Sequence, residues 1–392
     1  MRRTRRAAML AATAVLAPLV AVAGPAPQAS AAEPAFPTVD FLTARADQYL
    51  EQRARTVTVS GARIAATSTV AATAEMTQLL NAEYLQLAQM GSTYQEADGG
   101  YSGAEVTVTR NPDGPAGSVD GKTALFSFTE HTKLYHVLTP EEIAEGAPEA
   151  EEYSITHLLR FTRGTDEIWR LASDSANTGS MPPSTYMAQP ELDLEIPEED
   201  SGAPDAPEGS KAEASSPTGA PAPGDKPKAF RVMAGYNYPK MVAYANKHWK
   251  NYSDDWRRYD NDCTNFISQA MWAGGWRATA GSISSRKDNK KWFYGTTKLG
   301  TSYTWAGAEN WYWFAQKHSK RTKILPRVWD LAYADVLQAD WDRNGNINHT
   351  MIDTKDTSSN RYLTYHTPSV HNKSLKKILA KYPKAWWYAH RT

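Results

Sequence analysis

Between Leu194 and Lys228 the chain has no aromatic residue and consists mostly of Pro, Ala, Gly, Ser and acidic side chains. Such a stretch cannot bury enough apolar surface to offset the entropy lost on ordering it. It predicts a linker over residues 194–229, with one domain before it (32–193) and another after it (230–392). The two flanks differ in kind. From Phe230 onward there are 26 Lys and Arg against 12 Asp and Glu, an excess of 14 positive charges that the earlier residues cancel to a net charge of zero. Every tryptophan except Trp169 also follows the linker.

The first 31 residues have the features of an export signal. Arg2, Arg3, Arg5 and Arg6 precede an apolar run from Ala7 to Ala23, and Ala29-Ser30-Ala31 has the small-x-small form of a cleavage site. This predicts a secretory signal peptide and a secreted protein. A retained membrane anchor is the alternative, but Pro18 and Pro25 break a run already shorter than the roughly 20 apolar residues of a spanning helix. No later stretch is apolar enough to span a bilayer. With one cysteine, Cys263, the chain cannot form an internal disulfide.

Residues 32–193 read as α+β. Phe41–Arg55 and Thr73–Met90 carry apolar residues at helical spacing, in the second case Met76, Leu79, Leu80, Tyr84, Leu85 and Leu87. Strand-like runs follow at 106–110, 125–137 and 153–172, the last broken by a turn at Gly164. Helices followed by an antiparallel meander are similar in pattern to cystatin-like and NTF2-like folds. His131, His136 and His157 have no metal-ligand spacing, and they read as hydrogen-bonded histidines on a sheet. This half offers no catalytic constellation.

The chemistry concentrates after the linker. From Cys263, the residues Phe266, Ile267, Ala270, Met271 and Gly274 fall at i+3, i+4, i+7, i+8 and i+11, one face of a helix. Asp262 stands where an N-cap carboxylate would accept helix N–H bonds. Cys263 then opens the helix, where free N–H groups and the helix dipole favour a thiolate. A lone cysteine is otherwise a small buried hydrophobe. Helices are expected at 238–249 and 308–318, and strands at 328–337, 350–353, 361–365 and 385–389. A cysteine nucleophile needs a base and an orienting group. His349 and His366 lie at the ends of predicted strands, and His371 in the loop beyond.

Asp262-Cys263-Thr264-Asn265-Phe266-Ile267-Ser268-Gln269, Gly274-Gly275, Ser302-Tyr303-Thr304-Trp305, Asp340-Trp341-Asp342 leading to His349, and Tyr365-His366-Thr367 together resemble the amidase domain family of secreted bacterial proteins, a group similar to the NlpC/P60 and CHAP members of the papain-like superfamily. The resemblance covers about Gly235 to Thr392. It implies a papain-like domain with a helix-borne cysteine packed on an antiparallel sheet. It also implies a Cys–His hydrolase of amide bonds, often in cell-wall peptide. By position Cys263 is the nucleophile, His349 the base and His366 the orienting group, with Asp353 or Asn372 as rivals for the last role. Tyr259, Asp262, Gln269 and Trp305 are candidates for oxyanion or substrate contact. Ala334-Asp335-Val336 departs from the family's Gly-Asp turn. A non-catalytic cell-surface binding module and a Cys–His transamidase are the competing readings.

Asp340-x-Asp342-x-Asn344-Gly345-x-Ile347 has the form of a calcium loop, but its twelfth position is Met351 rather than Glu. Asn344-Gly345-Asn346 also suits a hairpin turn. No other cofactor signature is present. The basic excess favours an anionic cell-wall surface, and no nucleic-acid module accompanies it. The acidic first half is an alternative electrostatic partner, which would dock it on the catalytic domain in cis.

Overall fold

The computed structural model describes residues 33–61, 68–97, 99–118, 120–176, 178, 185, 211–221, 235–297 and 299–392. The expected signal peptide and most of the expected linker lie outside them.

Two helices open the fold, α1 (Val39–Thr56) and α2 (Ala74–Glu96). Thr38 and Thr73 cap them, each side chain accepting the N–H three residues on. Helix α1 buries Leu42, Ala46, Tyr49, Leu50 and Arg53. Helix α2 buries Met76, Leu80, Tyr84 and Leu87 but leaves Leu79 and Leu85 exposed. An antiparallel meander follows, β1 (Tyr101–Arg110), β2 (Ala116–Ser118), β3 (Thr123–His136), a short capped helix α3 (Pro140–Ala144), β4 (Ala150–Arg163) and β5 (Trp169–Ala176). Strand β4 alternates buried and exposed residues along most of its length, as a half-covered sheet requires.

The second half contains α4 (Tyr238–His248), α5 (Cys263–Ala273), the short α6 (Tyr303–Ala306) and α7 (Ala308–Tyr312), then β6 (Lys323–Ile324), β7 (Val336–Asp340), β8 (His349–Asp356), β9 (Arg361–Tyr365), β10 (Ser369–Ser374), α8 (Leu375–Lys381) and β11 (Trp386–Arg391). The strand expected at 328–337 divides into a 3-10 turn at Val328–Asp330 and β7. The helix expected at 308–318 is α7 continued by a π-helical turn, Trp313–His318.

The two halves share one sheet. Among the described residues its order is β1-β3-β4-β10-β9-β8-β7-β11-β6, with β2 on β3 and β5 on β4. The junction is antiparallel pairing of Ser369, Val370 and His371 with Ser154, Tyr153 and Glu152. One core cluster runs from Leu42, Tyr94 and Tyr153 to Leu363, Tyr365, Leu375 and Ile378. Backbone pairing and shared apolar burial hold the halves together, with side contacts such as Glu142 to Ser359 Oγ and Glu145 to the Ser358 N–H. Part of the expected linker is also packed: Ser215 bridges to Trp387, and Trp329 Nε1 donates to the Pro217 carbonyl. An isolated 230–392 segment would bare the β10 edge and the shared core. We expect it to aggregate or expose apolar surface, read as strong ANS binding where the full chain shows little.

A buried polar network sits under the first half of the sheet. His157 is fully buried, with Nε2 3.0 Å from Glu130 and Nδ1 3.0 Å from Asp174. Tyr49 donates to Asp174, and Arg53 bonds Tyr49 and Glu83. Burial opposes the imidazolium, but the Asp174 and Glu130 carboxylates outweigh it and raise the His157 pKa to about 9. A pKa raised above the unfolded value of about 6.5 stabilises the fold below that pH, and the contribution is lost as pH rises through 9. We expect the melting temperature to fall between pH 7 and 9.5. In His157→Gln that slope should flatten and the melting temperature at pH 6 should be lower.

Candidate active site

Helix α5 forms where the apolar spacing predicts, and it buries every residue from Cys263 to Met271. It packs on α4, where the absence of a side chain at Gly274 lets Met241 approach: a Cβ there would lie 2.2 Å from Met241 Cγ. Thr264 Oγ1 meets Thr350 Oγ1 of β8 at 2.9 Å. These contacts fix the N-terminal end of α5 against the sheet.

Asp262 does not cap the helix. Its backbone (φ −95°, ψ 1°) is not the extended conformation of an N-cap, and its side chain makes no capping bond. The carboxylate turns instead to other donors. Oδ1 accepts from the Tyr259 N–H at 3.0 Å and from Asn265 Nδ2 at 2.8 Å. Oδ2 lies 2.6 Å from His366 Nδ1, both side chains being 1% exposed. His366 Nε2 lies 3.0 Å from the His248 carbonyl oxygen. A carboxylate and a carbonyl oxygen act as acceptors, so both ring nitrogens of His366 face acceptor atoms. The ring is stacked between Phe266 (3.9 Å) and Tyr252 (4.0 Å).

Cys263 is 1% exposed. Its Sγ lies 3.6 Å from Thr264 Oγ1. Burial pushes the thiol up to about 11, against the hydrogen bonds of Thr264 and the Thr350 backbone, while the Asp262 charge adds to the rise. The enclosed thiol is therefore neutral near pH 7. Tyr252, whose hydroxyl is within electrostatic reach of both Asp262 and Cys263, closes this neighbourhood. Nothing in the spacing of Tyr252 ties it to Cys263 or His366, so the sequence alone does not single it out.

His349 is not joined to this group by any hydrogen bond. Successive strand residues point to opposite faces, and Thr350 points at α5. His349 packs on the other face, 5.0 Å from the Tyr365 ring and 5.8 Å from Trp341. Both its nitrogens are buried without a hydrogen-bond partner, and burial alone lowers its pKa to about 3. His366 accordingly orients no His349; its partner is Asp262. Asp353 is buried, and among the described residues the Tyr362 N–H approaches its carboxylate without a close hydrogen bond. Asn372 accepts from Thr354 Oγ1. His371 bonds Asn246 and stacks on Trp249.

The remaining candidates have structural neighbours. Gln269 Oε1 accepts from Tyr244. Trp305 is fully buried, donates to Asn265 Oδ1 at 2.8 Å and stacks on Trp292. Tyr259 is largely buried and accepts from Arg257. Asp340, Asp342 and Asn344 lie at the turn between β7 and β8. Among the described residues no three His, Cys, Asp or Glu side chains are grouped to hold a metal, and no helix is long and apolar enough to cross a membrane.

A Bacillus subtilis (strain 168) protein described as "Uncharacterized protein YhbB" is 28% identical over 125 residues, which are 32% of this chain and 39% of that protein. No solved structure matches. Residues 235–390, the segment carrying α4, the Cys263 helix and the strands of His349 and His366, match the family model described as "Putative amidase domain".

Proposed function

We propose that this segment hydrolyses an amide bond through Cys263, with the Asp262–His366 pair as its acid–base partner. The observation that carries the reading is the buried 2.6 Å contact between His366 Nδ1 and the carboxylate of the residue preceding Cys263. Loss of the Cys263 proton gives the thiolate that a Cys–His hydrolase uses as its nucleophile. The thiolate attacks the carbonyl carbon, and the Cys263 N–H at the start of α5 stabilises the oxyanion. His366 Nε2–H protonates the departing amine as the C–N bond breaks, leaving an acyl thioester. Neutral His366 then takes a proton from water, whose oxygen releases the acid and restores the thiolate. Asp262 keeps the ring oriented and compensates its charge.

The family match supports an amidase. Cell-wall peptide as substrate, export and a papain-like fold follow from the sequence resemblance, the N-terminal residues and the basic excess. A second reading keeps His349 as the base. It is favoured by the two unpartnered nitrogens of His349 and by the closeness of the adjacent Thr350 N–H to Sγ. The test is amine release from cell-wall peptide by single variants. On the first reading His366→Ala lowers kcat by about 10²–10⁴ and His349→Ala changes it severalfold at most. The reverse pattern overturns the first reading in favour of the second.

A further inference from the structure

The β7–β8 turn carries acidic groups that the hydrolysis does not use. Asp340 is fully buried. Its Oδ2 accepts the Gly345 N–H at 2.9 Å and the Arg343 N–H also reaches the carboxylate, whereas among the described residues Oδ1 is buried with no hydrogen-bond partner. A buried carboxylate oxygen without a donor or counter-charge is costly. Its neighbours add to the cost. The Asp342 carboxyl lies close enough to that of Asp340 to interact with it. Glu309, held by the Ile347 N–H and by Trp313 Nε1, is a third acidic group within electrostatic reach of Asp340. Among the described residues no Lys or Arg forms an ion pair with any of the three. Arg343, the nearest in sequence, lies over the Trp386 ring at 6.0 Å.

The geometry points to a calcium ion bound at this turn by Asp340 Oδ1, the Asp342 carboxylate, the Asn344 amide oxygen and loop carbonyl oxygens. The donors are all hard oxygens, which suit calcium and not the imidazole- and thiolate-seeking metals. They stand at the first, third and fifth positions of the loop, with Gly345 at the sixth in the left-handed region (φ +96°). Asn344 now donates to Asp342 Oδ2 at 2.9 Å; the ion would take that lone pair and bridge the two side chains. Met351 at the twelfth position supplies no bidentate carboxylate, so binding falls in the weak range of extracellular calcium modules, about 10⁻⁴–10⁻³ M. The ion would neutralise Asp340 and pin the turn that leads into His349.

Trp341 lies between the two aspartates, so terbium can serve as the probe. In the full-length protein, excitation of tryptophan should produce saturable terbium emission that calcium displaces at about millimolar concentration. Calcium chloride should raise the melting temperature relative to EDTA. Asp342→Asn alters an exposed side chain and should weaken both responses at least tenfold. Equal melting temperatures in calcium and EDTA, emission that calcium does not displace, or an unchanged response in Asp342→Asn would each overturn the assignment.

Discussion

Cys263→Ala should abolish amide hydrolysis while leaving the fold in place. The substitution removes one sulfur atom from a buried position whose hydrogen-bonding neighbours are Thr264 and the Thr350 backbone. The expected stability loss is about 1 kcal/mol, typical of a small core truncation. The activity loss should be about 10⁴-fold or more, because no neighbouring side chain can replace the nucleophile and the thioester cannot form. Amine release from cell-wall peptide, with a thermal melt on the same sample, separates the two effects. A variant that melts like the parent and still hydrolyses at the parental rate would remove Cys263 from the chemistry.

Asp262→Ala should cost both stability and activity. Its carboxylate satisfies the Tyr259 N–H, Asn265 Nδ2 and His366 Nδ1 in a site from which water is excluded. Removing it leaves His366 Nδ1 and two further buried donors without their acceptor. Breaking one side of a buried pair costs about 3–5 kcal/mol, which for a chain of this size lowers the melting temperature by about 5 °C. Asp262→Asn should lose less. Its amide oxygen can still serve the Tyr259 and Asn265 donors, but its NH₂ would face the His366 Nδ1–H. A melting temperature unchanged in Asp262→Ala would mean that the pair contributes nothing to the fold.

Much of this architecture was legible locally. Helix α5 is written in the spacing of Phe266, Ile267, Ala270 and Met271, and α1, α2, β3, β9 and β11 follow from periodicity in the same way. Local patterns could not reveal that Ser369–His371 would extend the sheet onto Glu152–Ser154, since pairing partners 200 residues apart leave no mark on either strand. The Pro- and Ala-rich composition of 194–229 concealed the docking of Ser215 and Pro217, which rests on backbone groups of the segment and on the Ser215 hydroxyl, bonded to the Leu325 carbonyl and the Ala389 N–H. Strand parity decided the histidines. Thr350 and His349 are neighbours in sequence but belong to opposite faces, and the polar Thr264–Thr350 contact sets which one meets α5. Asp262 was read as a cap from its position, but the side chain is drawn away by His366, 104 residues downstream.

The central claim, that the residues around Cys263 form a reactive centre and not an inert core, is tested most directly by iodoacetamide alkylation of the full-length protein between pH 5 and 9. The wild type and His366→Ala would be compared, with the global unfolding rate measured under the same conditions. A reactive centre opens locally, at less than the cost of global unfolding. The account predicts labelling of Cys263 much faster than global unfolding, with substantial rate persisting below the ordinary thiol pKa of about 8.5, and slower labelling in His366→Ala. Labelling that merely tracks global unfolding and ignores His366 would contradict it and leave Cys263 a structural residue of the core.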